Sequence, residues 1–327
     1  MRRSYVVRRR SIVVPLSILC TLATMPAAAQ TYPVKPIRII VSSTPGGGAD
    51  FVARVVAPVI TDALGQQVIV ENRPGGGSRL GYEVGLRSPP DGYTLNLVTP
   101  TYSINPALYA LKFDPLADFT PVILVAKGPL IAAVHPSLPV RNIRELVALA
   151  KPKAGAVSYG STGQGTIIHL ATALFEQMAA IKMTHIPYKG GANALVDVMA
   201  GNIDLIFATP QAGLRQAKAG RVRALGVTTT TRLPAAPEIP TIAESGVPGY
   251  EVTNWQALIA PRGLPPAIVE RINAPINQAL KTKEMDEKLQ SDGVSAAGGT
   301  PELLYDQIRK EIAMWGKVVK QAGVKIE

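Results

Sequence analysis

The stretch Ile37-Arg38-Ile39-Ile40-Val41-Ser42-Ser43-Thr44-Pro45-Gly46-Gly47-Gly48-Ala49-Asp50 decides how this chain is read. An apolar, β-branched run passes into a Gly-rich loop and then into residues 50–63, whose apolar positions recur with helical spacing. That order predicts a strand, a tight loop and a helix amino terminus. The same order returns at 157–159, Gly160-Ser161-Thr162-Gly163-Gln164-Gly165-Thr166 and a helix over 166–178. The first N–H groups of a helix lack intrahelical partners, and its dipole places partial positive charge there. Glycines let a ligand oxygen approach the backbone closely. Two such turns in corresponding places predict a cleft with donors on both walls and an anion between them, most simply a carboxylate.

Outward from these turns, short β-rich runs alternate with amphipathic helices, as in a mainly parallel sheet with crossover helices. The first series holds strands at 37–41, 68–70 and 94–98, and residues 119–134 read as two strands broken at Gly128-Pro129. The second series holds helices at 142–150, 166–178, 192–200 and 214–218 and strands at 157–159, 184–186, 205–208 and 222–227. A strand at 252–259, a helix from 265 to about 281 and a last helix after Thr300-Pro301 complete the chain. The reading is an α/β protein of two lobes, each a mixed, mainly parallel sheet flanked by helices, with the ligand cleft between them. Residues 30–129 and 252–327 form a discontinuous first lobe, 130–251 the second, and the last helices pack on the first.

With 327 residues, 47% of them hydrophobic and 17% charged, the chain is neither disordered nor a small stapled scaffold. Its first ten residues carry five arginines and no acid, followed by an apolar run to Pro26 and then Ala27-Ala28-Ala29. A basic head, an apolar middle and a small-residue exit predict a secretory signal peptide over 1–29, cleaved near Ala29, and a periplasmic product. Five of the eleven net positive charges lie in that segment, which leaves +6 on residues 30–327. Without a basic block this gives no support for nucleic-acid binding and a weak preference for acidic small molecules. The single cysteine, Cys20, lies in the apolar run, so the exported chain would hold no disulfide.

Catalytic and cofactor patterns are thin. Gly46-Gly47-Gly48 followed by Glu71 imitates a dinucleotide site, but the loop does not fit G-x-G-x-x-G. His135, His169 and His185 have no metal spacing, and neither G-x-S-x-G nor a phosphate-loop lysine motif occurs. Asp91, Asp114, Asp118, Asp197 and Asp204 fall where turns or helix exteriors are expected and read as capping or solvated groups. No metal, cofactor or catalytic residue is expected. An exported hydrolase using His169 with Thr162 or Ser161 stays open as the competing reading.

Several motifs occur in an order that resembles the Bug (Bordetella uptake gene) family, the binding receptors of tripartite tricarboxylate transporters. The first group is Tyr32-Pro33-Val34-Lys35-Pro36-Ile37-Arg38, Pro45-Gly46-Gly47-Gly48-Ala49-Asp50, Val70-Glu71-Asn72-Arg73-Pro74-Gly75-Gly76 and Asp91-Gly92-Tyr93-Thr94-Leu95. Ile104-Asn105-Pro106-Ala107-Leu108-Tyr109 follows, then residues 159–166 with His169-Leu170, and Pro187-Tyr188-Lys189-Gly190-Gly191. Pro240-Thr241-Ile242-Ala243-Glu244-Ser245-Gly246 before Pro248-Gly249-Tyr250 closes the series.

The resemblance implies a type II-like two-lobed periplasmic binding fold that closes on an organic acid and presents it to membrane permease subunits, acting as a monomer. It places ligand contacts on Gly47, Gly48, Ala49 and Asp50 of one wall and on Ser161, Thr162, Gly163, Gln164, Gly165 and Thr166 of the other. Two further loops contribute Thr99 and Tyr102, and Pro210 and Gln211. Departures from the family pattern are Ser42-Ser43-Thr44, Tyr102 where histidine is common, Asn193 for a usual proline and Ala257 after Trp255-Gln256. Tyr102 permits stacking on an aromatic acid. The same fold would also serve a sensor that signals to a membrane partner.

Overall fold

The computed structural model describes residues 1, 4–6 and 32–324. Most of the segment 1–29 expected as a signal peptide, with Cys20, lies outside the described residues. The chain divides into a unit Met1–Thr31 and a unit Tyr32–Glu327, and every element below belongs to the second.

In chain order the first part comprises β1 (Ile37–Val41), α1 (Gly48–Leu64), β2 (Val68–Asn72), α2 (Arg79–Leu86), β3 (Thr94–Val98), α3 (Pro100–Ile104) with a 3-10 turn over Asn105–Ala107, and β4 (Phe119–Gly128). The middle comprises β5 (Ile131–Val134), α4 (Ile143–Ala150), β6 (Ser158–Ser161), α5 (Ile167–Ala179), β7 (Thr184–Pro187), α6 (Gly191–Ala200), β8 (Leu205–Ala208), α7 (Pro210–Lys218) and β9 (Arg223–Val227). The end comprises β10 (Asn254–Pro261), α8 (Pro266–Ala279), α9 (Lys283–Gln290), β11 (Ser295–Ala296) and α10 (Pro301–Ala322).

The strands form two sheets, ordered β11-β4-β10-β3-β1-β2 and β7-β6-β8-β5-β9. Each is mixed. β1 lies parallel between β2 and β3, and β6 parallel between β7 and β8. β10 runs antiparallel to both β3 and β4, and β5 antiparallel to both β8 and β9. The parallel strands are the ones that end in the Gly-rich loops, so those loops open at carboxyl ends of strands, where open α/β sheets bind ligands.

Each sheet has its own apolar core. Ile37, Ile39, Val41, Val52, Val56 and Ile60 pack with the β3, β4 and α8 side chains in one. Leu146, Phe175, Leu205, Ile206 and Phe207 pack together in the other. Complete apolar burial along β8 explains why it reads as an unbroken hydrophobic run, and β1 is interrupted only by the exposed Arg38.

Two segments connect the sheets, β4 to β5 and β9 to β10, and one buried side chain ties them together. Leu130 N donates to Thr228 Oγ1 at 2.7 Å, and that hydroxyl donates to Val252 O at 2.7 Å. Main-chain bonds from Thr228 N to Leu130 O and from Val252 N to Thr228 O complete the junction.

The last helix departs from expectation. α8 and α9 pack on the first sheet's side, against α1, β4 and β11. α10 instead spans both parts: Leu304 and Ile308 join Trp255 and Ile259 in one cluster, while Trp315, Val318 and Val319 join the second sheet's core. Its 22-residue length gives it that reach. Among the described residues no helix is long and apolar enough to cross a membrane.

Candidate ligand-binding site

α1 begins directly after the first Gly-rich loop, with Gly47 as N-cap in an extended conformation. Its first helical bond runs from Phe51 N to Gly47 O, which leaves the N–H groups of Gly48, Ala49 and Asp50 without helical acceptors. Asp50 shapes this loop. Its Oδ2 accepts from Gly46 N and from Arg54 Nε, both at 3.0 Å. Burial opposes its ionisation, but the bonds from Arg54 and Gly46 outweigh it and lower its pKa. The side chain is therefore turned onto its own loop, a role that a sequence position at a helix start does not distinguish from ligand contact.

The second loop is stiffened from within. Gly163 has φ +120°, which an L side chain does not adopt without strain. Ser161 Oγ accepts from Gly163 N at 3.1 Å, Thr166 Oγ1 donates to Gly163 O at 2.8 Å, and Thr162 Oγ1 donates to Thr166 Oγ1 at 2.9 Å. Behind it stand the two histidines. His169 Nδ1 accepts from Gly165 N at 3.0 Å, and His185 Nε2 lies 2.7 Å from Ser161 Oγ. Burial pushes His169 down to about 3, with lesser contributions from His185 and Lys182, and burial alone pushes His185 down to about 4. Both rings are neutral at ordinary pH.

The Ser161–His185 pair has hydrolase spacing but not hydrolase chemistry. Ser161 is fully buried, its hydroxyl is engaged by the loop backbone, and an imidazole titrating near 4 is a weak base. Among the described residues no group of three His, Cys, Asp or Glu side chains could hold a metal ion.

The two loops stand on walls that touch. Tyr109 OH donates to Gln164 O at 3.2 Å, Thr101 Oγ1 accepts from Ile167 N at 3.2 Å, and Gln211 N donates to Asp292 O at 3.1 Å. A Cβ placed on Gly48 would lie 3.4 Å from Thr209 Cγ2, and one on Gly190 would lie 2.7 Å from Thr44 Oγ1. The Arg73–Ser78 turn also reaches this junction. Gly77, at φ +62°, leaves no room for a side chain, because a Cβ there would stand 2.7 Å from Tyr109 OH and 3.3 Å from Gln164 O.

The structure thus brings Gly47, Gly48 and Ala49 on one wall towards Thr209, Pro210 and Gln211 on the other. Ser161 to Thr166 form the neighbouring loop on that second wall. Thr99 caps α3 at its start. Tyr102 is placed elsewhere. It is fully buried, packed against Tyr82, Phe113 and Phe119, and its hydroxyl donates to Pro115 O at 3.1 Å. That aromatic cluster, drawn from distant sequence positions, removes it from any stacking role towards a ligand.

Glu71 is occupied by ion pairs with Arg38 and Arg73, as befits a strand surface and not a ribose site. Among the turn aspartates, Asp114 acts as a capping group, accepting from Leu116 N and Ala117 N, whereas Asp204 accepts from Ser158 N of β6 and Asp197 from Tyr188 OH, bonds to remote residues that the capping reading does not foresee. Sequence reasoning gives no role at the site to Tyr109, His185 and Asp292, whose partners are remote in the chain.

Two mixed α/β sheets, joined by two connections and bringing the start of α1 to the start of α7, define the two-lobed fold of periplasmic binding proteins. The solved structures agree. R. palustris Rpa4515 with adipate is 35% identical, with a TM-score of 0.86 over 90% of this chain and 99% of that one. MatC from Rhodopseudomonas palustris with bound malate is 27% identical, with a TM-score of 0.83 over 88% of this chain and 100% of that one.

The chain belongs to the family described as "Tripartite tricarboxylate transporter family receptor", whose model matches residues 52–324. Protein BugT of Bordetella pertussis is 34% identical over 92% of this chain and 94% of its own length, in accord with the Bug resemblance read from the motifs.

Proposed function

We propose that this chain is an extracytoplasmic solute receptor that captures a small organic acid between its lobes and delivers it to a tripartite tricarboxylate-type membrane transporter. The single observation that carries the reading is that each sheet bears a strand, Gly-loop, helix-start unit, β1 to α1 and β6 to α5, on walls that touch at Tyr109–Gln164, Thr101–Ile167 and Gly48–Thr209. Unpaired N–H groups at a helix start favour a carboxylate, and closure excludes water and strengthens each hydrogen bond. Adipate on one relative and malate on another support a carboxylate as the ligand class. Gly47, Gly48 and Ala49 hold the acid on one side, with Thr162, Gly163, Gln164 and Thr166 on the other. Lobe boundaries at 129–130 and 251–252 put the hinge at the Thr228 junction. The protein acts as a monomeric binder without catalysis, exported to the periplasm by its basic and apolar leader.

Thermal unfolding of residues 30–327 against organic acids and their neutral amides tests this. A ligand present at 100 times its dissociation constant adds about 2.7 kcal/mol, a rise of roughly 2–4 °C per kcal/mol. A rise with an acid and none with its amide supports the reading; a flat panel on ligand-free protein sinks it.

A further inference from the structure

Asp292 is one of the buried groups that the fold leaves without a partner for one side-chain atom, and like Asp50 it stands at the start of α1. It lies in the turn between α9 and β11, is 1% exposed, and its Oδ1 has no hydrogen-bond partner among the described residues. Its other carboxylate oxygen stands 3.6 Å from where a Cβ on Gly48 would lie, beside the open amino terminus of α1. The start of α7 covers it from the other wall. Gln211 N donates to the Asp292 main-chain carbonyl, and a Cβ on Gly293 would press on Pro210 Cβ.

Among the described residues no hydrogen bond reaches the carboxyl. Gly48 has no side chain, Thr209 presents its methyl group to that spot, Pro210 has no N–H, and the Gln211 N–H is spent on the backbone. An ionised carboxyl is an acceptor with room for several hydrogen bonds, and burying it unpaired is costly. Burial alone accordingly pushes Asp292 up to about 7. Among the described residues no side chain or main-chain group donates to it.

We propose that Asp292 is a specificity determinant: it accepts a hydrogen bond from an amino or hydroxyl group carried by an acid whose carboxylate rests on the amino terminus of α1. The inference rests on the carboxylate-receptor reading. A donor on the carbon next to a carboxylate bound at Gly48 to Asp50 falls beside Asp292, so the receptor prefers 2-amino or 2-hydroxy acids over the unsubstituted acid of equal length.

Calorimetric titration of the purified chain with four- to six-carbon dicarboxylic acids, each beside its 2-hydroxy and 2-amino counterparts, tests this. Hydrogen bonds to charged groups predict about tenfold to hundredfold tighter binding of a substituted acid than of its plain parent. Asp292→Ala reduces that preference to within about twofold while plain-acid binding persists, with an unchanged or raised unfolding temperature, because the side chain bonds nothing in the protein. Asp292→Asn, of nearly equal volume, guards against a packing effect and also narrows the preference. Equal binding of plain and substituted acids by the native chain overturns the assignment. So does a preference that survives in Asp292→Ala, which would leave only a structural water on Asp292. Failure of every acid and its counterparts to bind overturns the receptor reading itself, a different result from binding without preference.

Discussion

The imidazole rings of His169 and His185 lie face to face, 3.9 Å between centroids and 7° from parallel, with Tyr159 stacked on the His185 side at 5.0 Å. One ring accepts from Gly165 N and the other meets Ser161 Oγ, so the stack buttresses the Gly-rich loop from behind. Two imidazolium charges at that spacing repel strongly, and burial penalises even one.

This pair makes stability depend on acid. Both pKa values lie below the free imidazole value of 6.5, at about 3 and about 4. Between those limits the unfolded chain binds more protons. Their contribution is therefore complete above pH 6.5 and is lost as pH falls towards 4, at up to about 1.4 kcal/mol per pH unit for each ring. His185→Gln keeps a polar group near Ser161 but does not titrate. In urea unfolding between pH 7.5 and 4.5 its stability should fall less steeply than that of the native chain, and equal slopes would remove His185 from the account.

Gly163→Val tests the loop conformation directly. A Cβ there would have room, with Tyr188 O the nearest atom at 3.6 Å, so the penalty lies in φ +120° and not in a clash. Forcing that dihedral costs about 1–3 kcal/mol or moves the loop. Acid binding should fall more than tenfold while far-UV circular dichroism stays native. Retained affinity would place the ligand elsewhere.

Tyr109→Phe removes one hydrogen bond between the walls, to Gln164 O, and leaves the Arg79 guanidinium stacked 3.8 Å over the ring. A neutral hydrogen bond contributes about 0.5–1.5 kcal/mol, so the closed population and the acid affinity should drop roughly two- to tenfold. The unfolding temperature should change little. A large loss of stability without loss of affinity would make Tyr109 a packing residue only.

The sequence carries the fold where burial is one-sided or complete. β1, β3 and β8 stand where their apolar runs predict because β3 and β8 are buried along their length and β1 at every position but Arg38. α9 escapes notice because Lys283 to Gln290 is mostly charged and buries only Met285 and Leu289. At the site, the loops are legible from glycines and strand ends, since the backbone itself does the work. Tyr102 and Asp292 are not legible, because the first is claimed by Tyr82, Phe113 and Phe119 and the second is buried by Thr209 and Pro210, all brought in by tertiary folding.

Glu311 provides a pH test of opposite sign. Trp255 Nε1 donates to its Oε1 at 2.6 Å where α10 packs on β10, and burial pushes the carboxyl up to about 7 in spite of that bond. A raised carboxyl contributes stability that is complete below its unfolded value near 4.5 and is lost as pH rises through about 7. Glu311→Gln keeps an acceptor for Trp255 and cannot ionise. It should exceed the native chain in stability by on the order of 2 kcal/mol at pH 8 and lose that advantage at pH 5. A constant difference across the range would mean the carboxyl does not titrate there.

Thr228→Val bears on how the two sheets are joined. The substitution preserves volume but deletes the hydroxyl that accepts from Leu130 N and donates to Val252 O, leaving both groups buried and unpaired. Each orphaned group costs about 1–3 kcal/mol, so global stability should fall by roughly 2–6 kcal/mol in urea titration. The main-chain bonds among Leu130, Thr228 and Val252 persist, and they keep the two connections in register. Hydrogen exchange should therefore speed up first at residues 128–131 and 252–254 and not in the β1 or β8 cores, because a junction that flexes opens locally before the sheets do. Uniform acceleration across both sheets would show that Thr228 supports one cooperative core instead of a hinge between two.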